Sequence, residues 1–302
     1  MNRDFLELFM EKTSFPEEAR QELRRCNQLL DGAGLGEALQ GAVSFFYHSQ
    51  CSVKAVEPLL QGVAASSGIS VYTVWLLFLM QAAQRAHRDY LAQGVCEEIF
   101  WDTFCDLRYK LLECKTIHGV WGNFVASWYP IFYTCQIVKL GRLEFENAVY
   151  EEEEPYEGHG ILLRKGDPVK SIHIPSSGEP FGLEARLDSY RRAYAFFQEE
   201  LQGKPLVCTC HSWLLYPPYS QVFSPTGNTA DFRKDFQILG GEAQETFHDA
   251  WRVFGADYQK PVEELPEKTS MQRAFKAWLS AGQKPGEGFG VLVFDGERLL
   301  TR

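Results

Sequence analysis

The hydrophobic period of this chain changes once, near Cys135, and that change fixes what it can fold into. Upstream, apolar residues recur about every 3.6 positions, the mark of helices with one buried face. Phe5, Leu6, Leu8 and Phe9 begin an amphipathic segment. Pro16 opens a second, PEEARQELRRCNQLL, with acids in its first turn where the helix dipole favours them. Residues 37–47 and 53–64 carry similar faces, and Ser70 to Tyr90 is long and apolar before turning polar at QRAHRDY. Helical spacing continues through Ile99, Phe100, Phe104 and Leu107 over 97–115, and through Trp121, Phe124, Trp128 and Phe132 over 116–134.

Downstream, Leu143 and Phe145 alternate with Arg142, Glu144 and Glu146, the period of two that a strand imposes. β-like runs follow at 160–164 and 169–174. A helix is predicted over 187–201, with Asp188 or Ser189 as its cap, and a strand over 206–210. A candidate strand at 231–239, helices at 244–254 and 270–281, the second closed by Gly282, and a strand at 289–294 complete the chain. The pattern predicts an α+β protein: an all-helical N-terminal domain over 1–134 packed on a mixed α/β domain over 135–302. At 302 residues and 45% hydrophobic, the chain has material for two cores.

Other features narrow the function. The most apolar run, VYTVWLLFLM, falls short of the roughly 20 residues a spanning helix needs, so it is expected to be a buried helix. MNRDFLELFMEKTSF lacks the basic start and unbroken apolar stretch of an export signal. Eight cysteines without framework spacing then predict reduced thiols in the cytoplasm. A net charge of −10 disfavours nucleic acid and anionic membranes as partners. The acidic run Glu151 to Glu154 reads as a solvated loop.

The stretch KPLVCTCHSWLLYPPYS packs two cysteines, a histidine and a serine into five residues. A structural zinc site needs four ligands, and no second Cys/His pair accompanies Cys208 and Cys210, so no metal is expected. On a strand these two cysteines share one face and Thr209 and His211 the other. An apolar strand favours inert core thiols over a nucleophile at Cys210. Ser212 follows His211 directly, but no Gly-x-Ser-x-Gly elbow is present. His211 emerges at the carboxyl end of its strand, where open α/β sheets bind ligands. His173, in SIHIPSSGEP, is similarly placed. Either histidine suits a general base near neutral pH, and either suits a hydrogen-bonded structural role. The Ser176-Ser177-Gly178 loop ahead of a helix is a candidate anion site.

LGRLEFE (140–146), SIHIPSSG (171–178), CHSWLLYP (210–217), WRVFG (251–255) and LPEKTSMQRAFKAWL (265–279) together resemble a bacterial acyltransferase-like family. Its members join a helical N-acyltransferase N-terminal domain to a GNAT-like (N-acetyltransferase) C-terminal domain, and the resemblance covers nearly the whole chain. It implies transfer of an acyl group from acetyl-CoA or another acyl-CoA to a small-molecule or peptide amine. It also implies a mixed sheet splayed between two central strands, with the coenzyme entering the splay. The strand of His173 would precede the phosphate-binding helix, and the strand ending at Cys210 would be its splayed neighbour. Ser176, Ser177, Gly178 and Ser189 would lie at the phosphate end. His173, His211 and Glu144, with Glu146 beside it, are candidate bases; Tyr216 and Tyr219 are candidate donors to the leaving thiolate. The chain departs from the GNAT pattern in one respect. Residues 174–188 hold two prolines and lack a Gln or Arg followed by Gly-x-Gly or Gly-x-Ala. The alternative expectation is therefore a catalytically inactive GNAT-like module that binds a peptide or metabolite.

Overall fold

The computed structural model describes residues 3–302, which form two compact units. One comprises the chain up to Lys139 with Pro175–Ser177; the other comprises Leu140–Ile174 and Gly178–Arg302.

The first unit is built from helices α1 (Arg3–Lys12), α2 (Glu17–Gly32), α3 (Gly36–His48), α4 (Val53–Ser67), α5 (Val71–Ala92), α6 (Glu97–Phe104), α7 (Asp106–His118) and the short α8 (Pro130–Tyr133). Helix α5 is buried over consecutive positions from Thr73 to Met80, so it has no solvent face there and needs neighbours all round. It packs against each of the other seven helices. Side chains that can bond inward tie it down: the Tyr133 hydroxyl donates to the Leu79 carbonyl at 2.5 Å, and Tyr47 to Ala82 at 2.7 Å.

Two helical expectations fail here for local reasons. Residues 97–115 do not form one rod. The helix stops at Phe104 and restarts at Asp106, whose buried carboxylate accepts a 2.8 Å hydrogen bond from Tyr129. Residues 116–134 are mostly irregular. Gly119, at φ 74°, ends α7 in the left-handed conformation, and only a 3-10 turn at Ala126–Trp128 and α8 follow. The intervening backbone bonds elsewhere: the Asn123 amide donates to the Tyr72 carbonyl, and Thr73 Oγ1 donates to the Trp121 carbonyl. The aromatics of this segment pack on different neighbours, Phe124 on Tyr72 of α5 and His118 of α7, and Phe132 on Phe104 of α6.

The sheet strands are β1 (Ile137–Leu140), β2 (Leu143–Val149), β5 (Pro168–His173), β6 (Leu206–Ser212), β7 (Gln237–Ala243) and β8 (Gly286–Phe294); β3 (Tyr156–Gly158) and β4 (Ile161–Leu163) form a separate hairpin. The sheet order is β1-β2-β5-β6-β8-β7. Every registered pair in it is antiparallel except β5 with β6. A parallel pair requires a crossover, here helices α9 (Leu183–Phe196) and α10 (Gln198–Leu201). One face buries Val169, Phe289, Val291 and Val293 under Tyr156 and Leu163 of the hairpin. On the other face Phe294 meets Tyr190 of α9, with ring centroids 6.1 Å apart.

The remaining helices are α11 (Asn228–Arg233), α12 (Ala250–Phe254) and α13 (Ser270–Ser280). Tyr219, Phe223, Val253, Phe254, Leu265 and Phe275 form a separate apolar cluster that α12 and α13 close. The strand expected at 231–239 begins only at Gln237, because residues 228–233 are helical, and the helix expected over 244–254 is reduced to α12. Helix α9 starts at Leu183 rather than 187 and is capped by Gly182. Ser189 therefore lies inside it and is no cap.

Candidate active site

Strand register assembles the site. In the β2/β5 pair, Glu144 faces His173 directly and Glu146 faces Ser171, so both carboxylates share one sheet face with His173. Nε2 of His173 lies 2.7 Å from Oε2 of Glu146, with the two side chains 25% and 23% exposed. Glu144 is 1% exposed. The alternation that places the glutamates on one face was legible; on that face Glu144 is covered and Glu146 half-buried.

The parallel ladder between β5 and β6 is short. It consists of Lys170 opposite Cys208 and Ser171 opposite Thr209. Each strand continues beyond it, β5 to His173 and β6 to Ser212, still held on its outer side by β2 and β8 respectively. Two residues past the last pair on each strand stand His173 and His211, both on the Ser171–Thr209 face. The sheet thus parts between its two parallel strands where the candidate bases lie.

His211 is exposed, and its ring packs on Phe289 with centroids 4.3 Å apart. Both line a cleft of about 790 Å³ bounded by Tyr150, Glu152, residues 154–157, β7 and the start of β8. Ser212 accepts a hydrogen bond at Oγ from the Leu214 amide at 3.2 Å and so caps the turn that follows.

Cys208 and Cys210 point to the opposite face and are 0% and 1% exposed. Burial pushes both thiols up, Cys210 to about 12, so neither is ionised near neutrality. Among the described residues no group of three or more His, Cys, Asp or Glu is placed to hold a metal ion.

The candidate phosphate residues do not act as one group. Ser176 and Ser177 lie in the irregular segment after β5, and Gly178 adopts φ 75°. Glu179 to Gly182 separate them from the first turn of α9. Beside that turn, the Arg142 guanidinium lies 5.0 Å from the Phe181 ring centroid and donates to the Glu179 carbonyl. Ser189 is fully buried; its hydroxyl donates to the Ala185 carbonyl at 3.0 Å and accepts from the Arg142 amide at 2.7 Å. It locks α9 to the β1–β2 turn and offers nothing to a ligand.

Tyr219 is also structural. It is buried in the aromatic cluster with Phe223 and Phe275, its hydroxyl accepts from the Gly286 amide at 3.3 Å, and burial pushes its pKa up to about 12. Tyr216, 8% exposed, packs with it. These rings demand glycine on β8: a Cβ at Gly286 would lie 2.5 Å from the Tyr216 ring, and one at Gly288 would lie 2.3 Å from the Leu215 backbone. Sequence reasoning missed the cleft wall formed by Tyr150 and β7. Its one sequence signal was Gly240-Gly241 in a strand, which marks close backbone approach.

The comparisons with known proteins accord with this architecture. Residues 4–135 match the N-acyltransferase N-terminal domain, and residues 137–292 match the GNAT-like C-terminal domain. No curated protein matches the sequence. Among solved structures, an acyltransferase mutant in complex with octanoyl-CoA is 19% identical, with a TM-score of 0.68 over 93% of this chain and 85% of that one. An acyltransferase in complex with decanoyl-CoA and teicoplanin is 21% identical, with a TM-score of 0.67 over 95% and 87%. Another, in complex with decanoyl-CoA, is 19% identical, with a TM-score of 0.61 over 95% and 98%. At these identities the likeness is one of fold. With a GNAT-like domain matched over more than half its length and the N-acyltransferase domain preceding it, the chain belongs to the family that joins these two domains.

Proposed function

We propose that this protein is an N-acyltransferase that moves an acyl group from an acyl-CoA thioester to the amine of a small molecule or peptide, in the cytoplasm. The observation that carries the reading is the parting of β5 from β6 beyond Ser171 and Thr209, with His173 at the gap and paired to Glu146. Where the ladder stops, the facing strand edges suit the amides of a pantetheine arm, which would continue the hydrogen bonding of the sheet. The turn leading into α9, with Arg142 beside it, suits the phosphates. The family fold and the acyl-CoA complexes of the similar structures support the donor class; the teicoplanin complex supports a small-molecule acceptor.

The chemistry asks little of the chain. The acceptor amine must lose its proton, attack the thioester carbon and expel the thiolate, which takes up a proton. His173, oriented by its Nε2 contact with Glu146, is the base proposed for the first step. Glu146 holds the ring in its orientation. Buried Glu144 faces His173 directly across the strands on the same side.

Thermal denaturation with added coenzyme A and acyl-CoA tests the reading. A ligand that binds only the folded chain raises the melting temperature with concentration. Gly178→Val, which forces a branched residue into a left-handed position ahead of α9, should abolish the rise. No rise at millimolar ligand would favour a GNAT-like module without coenzyme binding.

A further inference from the structure

Thr209 carries a hydroxyl that the fold does not use. It sits on the last rung of the β5–β6 ladder, opposite Ser171, with Val291 of β8 on its other side. Side chains alternate along a strand, so Val207, Thr209 and His211 share one face of β6, and Ser171 and His173 share the same face of β5. That face is apolar around Thr209: Val169, Val291 and Val293 are buried in it, and Val207 packs against them. Thr209 itself is 3% exposed. Among the described residues no group hydrogen-bonds to its hydroxyl, Ser171 across the rung included. Nor is its oxygen one of those that the fold encloses completely. Beyond this rung the two parallel strands have parted, so the gap is the side left open to it. A buried hydroxyl without a partner weakens a fold, and a valine has the same shape.

We infer that Thr209 is the oxyanion donor of the transfer reaction: its hydroxyl donates to the thioester carbonyl oxygen at the closed end of the gap. The inference rests on the acyltransferase reading and deepens it. With the phosphates at the turn into α9, the pantetheine arm runs down the gap and brings the thioester toward the last rung. His173 stands two residues beyond Ser171, about 7 Å along the strand, so base and donor meet the reacting carbon from one face. The amine attacks and the C–N bond forms; the carbonyl π pair moves onto oxygen, where the Thr209 hydroxyl meets it. The pair then returns, the C–S bond breaks, and the proton given up by the amine ends on the departing sulfur. Thr209 keeps its own proton throughout. Fixed in place and shielded from water, its hydrogen bond stabilises the charge on oxygen more than one made in solvent.

Two substitutions separate the donor from the shape. Thr209→Val removes the hydroxyl and keeps the outline; Thr209→Ser keeps the hydroxyl and removes a methyl. Decanoyl-CoA labelled with 13C at the carbonyl, bound to the full chain without acceptor, is read by infrared difference spectroscopy. The carbonyl stretch should lie below its free value on the native chain and on Thr209→Ser, and return toward the free value on Thr209→Val. Thiol release is measured with hydroxylamine, a nucleophile small enough to need no acceptor site. Thr209→Val should lower kcat about a hundredfold with the KM for decanoyl-CoA unchanged, while Thr209→Ser keeps most of the activity. The melting temperature of Thr209→Val should match or exceed that of the native chain, because no hydrogen bond is lost.

The same carbonyl stretch on the native chain and Thr209→Val, or an equal loss of turnover in both variants, would overturn the donor and leave the acyltransferase reading intact. Decanoyl-CoA that neither raises the melting temperature of the native chain nor releases thiol with it would refute acyl transfer, and the donor with it.

Discussion

Nε2 of His173 lies 2.7 Å from Oε2 of Glu146, one strand over and two residues along from its direct partner Glu144. The contact is diagonal across an antiparallel pair, a distance long side chains span. It orients the imidazole by holding one ring nitrogen on a carboxylate.

For acyl transfer, His173→Ala should therefore lower kcat by about a hundredfold, the usual worth of a positioned base. Glu146→Gln should lower kcat less and leave the KM for acyl-CoA unchanged, because it disturbs the orientation of His173 and not the coenzyme. Steady-state thiol release with both variants checks this; unchanged kcat in His173→Ala would remove the residue from the mechanism.

Helix α9 depends on a buried charge pair. Arg186, 0% exposed, donates from Nε to Asp235 at 2.6 Å and from Nη2 to Asp231 at 2.9 Å, and Tyr190 donates to Asp235 at 2.9 Å. Arg186→Ala removes one of the two guanidinium groups on enclosed Asp235, the other being that of Arg302, so denaturant unfolding should show a loss of about 3 kcal/mol. A loss below 1 kcal/mol would mean that water reaches the pair.

The same network sets an acid limit. Hydrogen bonding from Arg186, and then from Arg302, holds the Asp231 carboxyl down from 3.8 to about 2. Its folded pKa lies below its unfolded one, so its contribution is complete above the ordinary aspartate range and is lost as pH falls through that range toward about 2. Asp231→Asn should flatten the fall of melting temperature over that window; an unaltered slope would assign it to other groups.

The cysteines divide by exposure. Cys96 is exposed, whereas Cys208 and Cys210 are buried, the latter with its thiol pushed up to about 12. Brief alkylation of the native chain at mildly basic pH, read by peptide mass spectrometry, should label Cys96 and spare Cys208 and Cys210 until the chain is unfolded. Rapid native labelling of Cys210 would restore it as a nucleophile candidate.

Helix α13 begins with a capping box: Thr269 Oγ1 accepts from the Gln272 amide at 3.1 Å, and the Gln272 side chain accepts from the Thr269 amide at 3.1 Å. Thr269→Ala should cost about 1 kcal/mol in denaturant unfolding, with little effect on transfer.

What the sequence disclosed was what periodicity encodes. The switch at Cys135 separated helices from strands, and alternation put Glu144 with Glu146 and Cys208 with Cys210. It could not disclose pairings between distant segments. The contact of Glu146 with His173 depends on a register that joins residues 27 apart, and the ring contact of His211 with Phe289 on one that closes a longer loop still. Ser189 was misread because a polar residue near a helix start looks like a cap; only the fold shows that Arg142 claims its hydroxyl. Residues 116–134 mimicked a helix because their aromatics, packed on α5, α6 and α7, fall at helix-like spacing while the backbone bonds to Tyr72 and Thr73.

The most direct test of the account is thiol release from decanoyl-CoA in the presence of an amine acceptor, with the product weighed by mass spectrometry, for the native chain and His173→Ala. The account predicts an amide product and stoichiometric free coenzyme A from the native chain, and a large loss of both in the variant. No amide from the native chain across donors of different length, despite a folded protein, would contradict it.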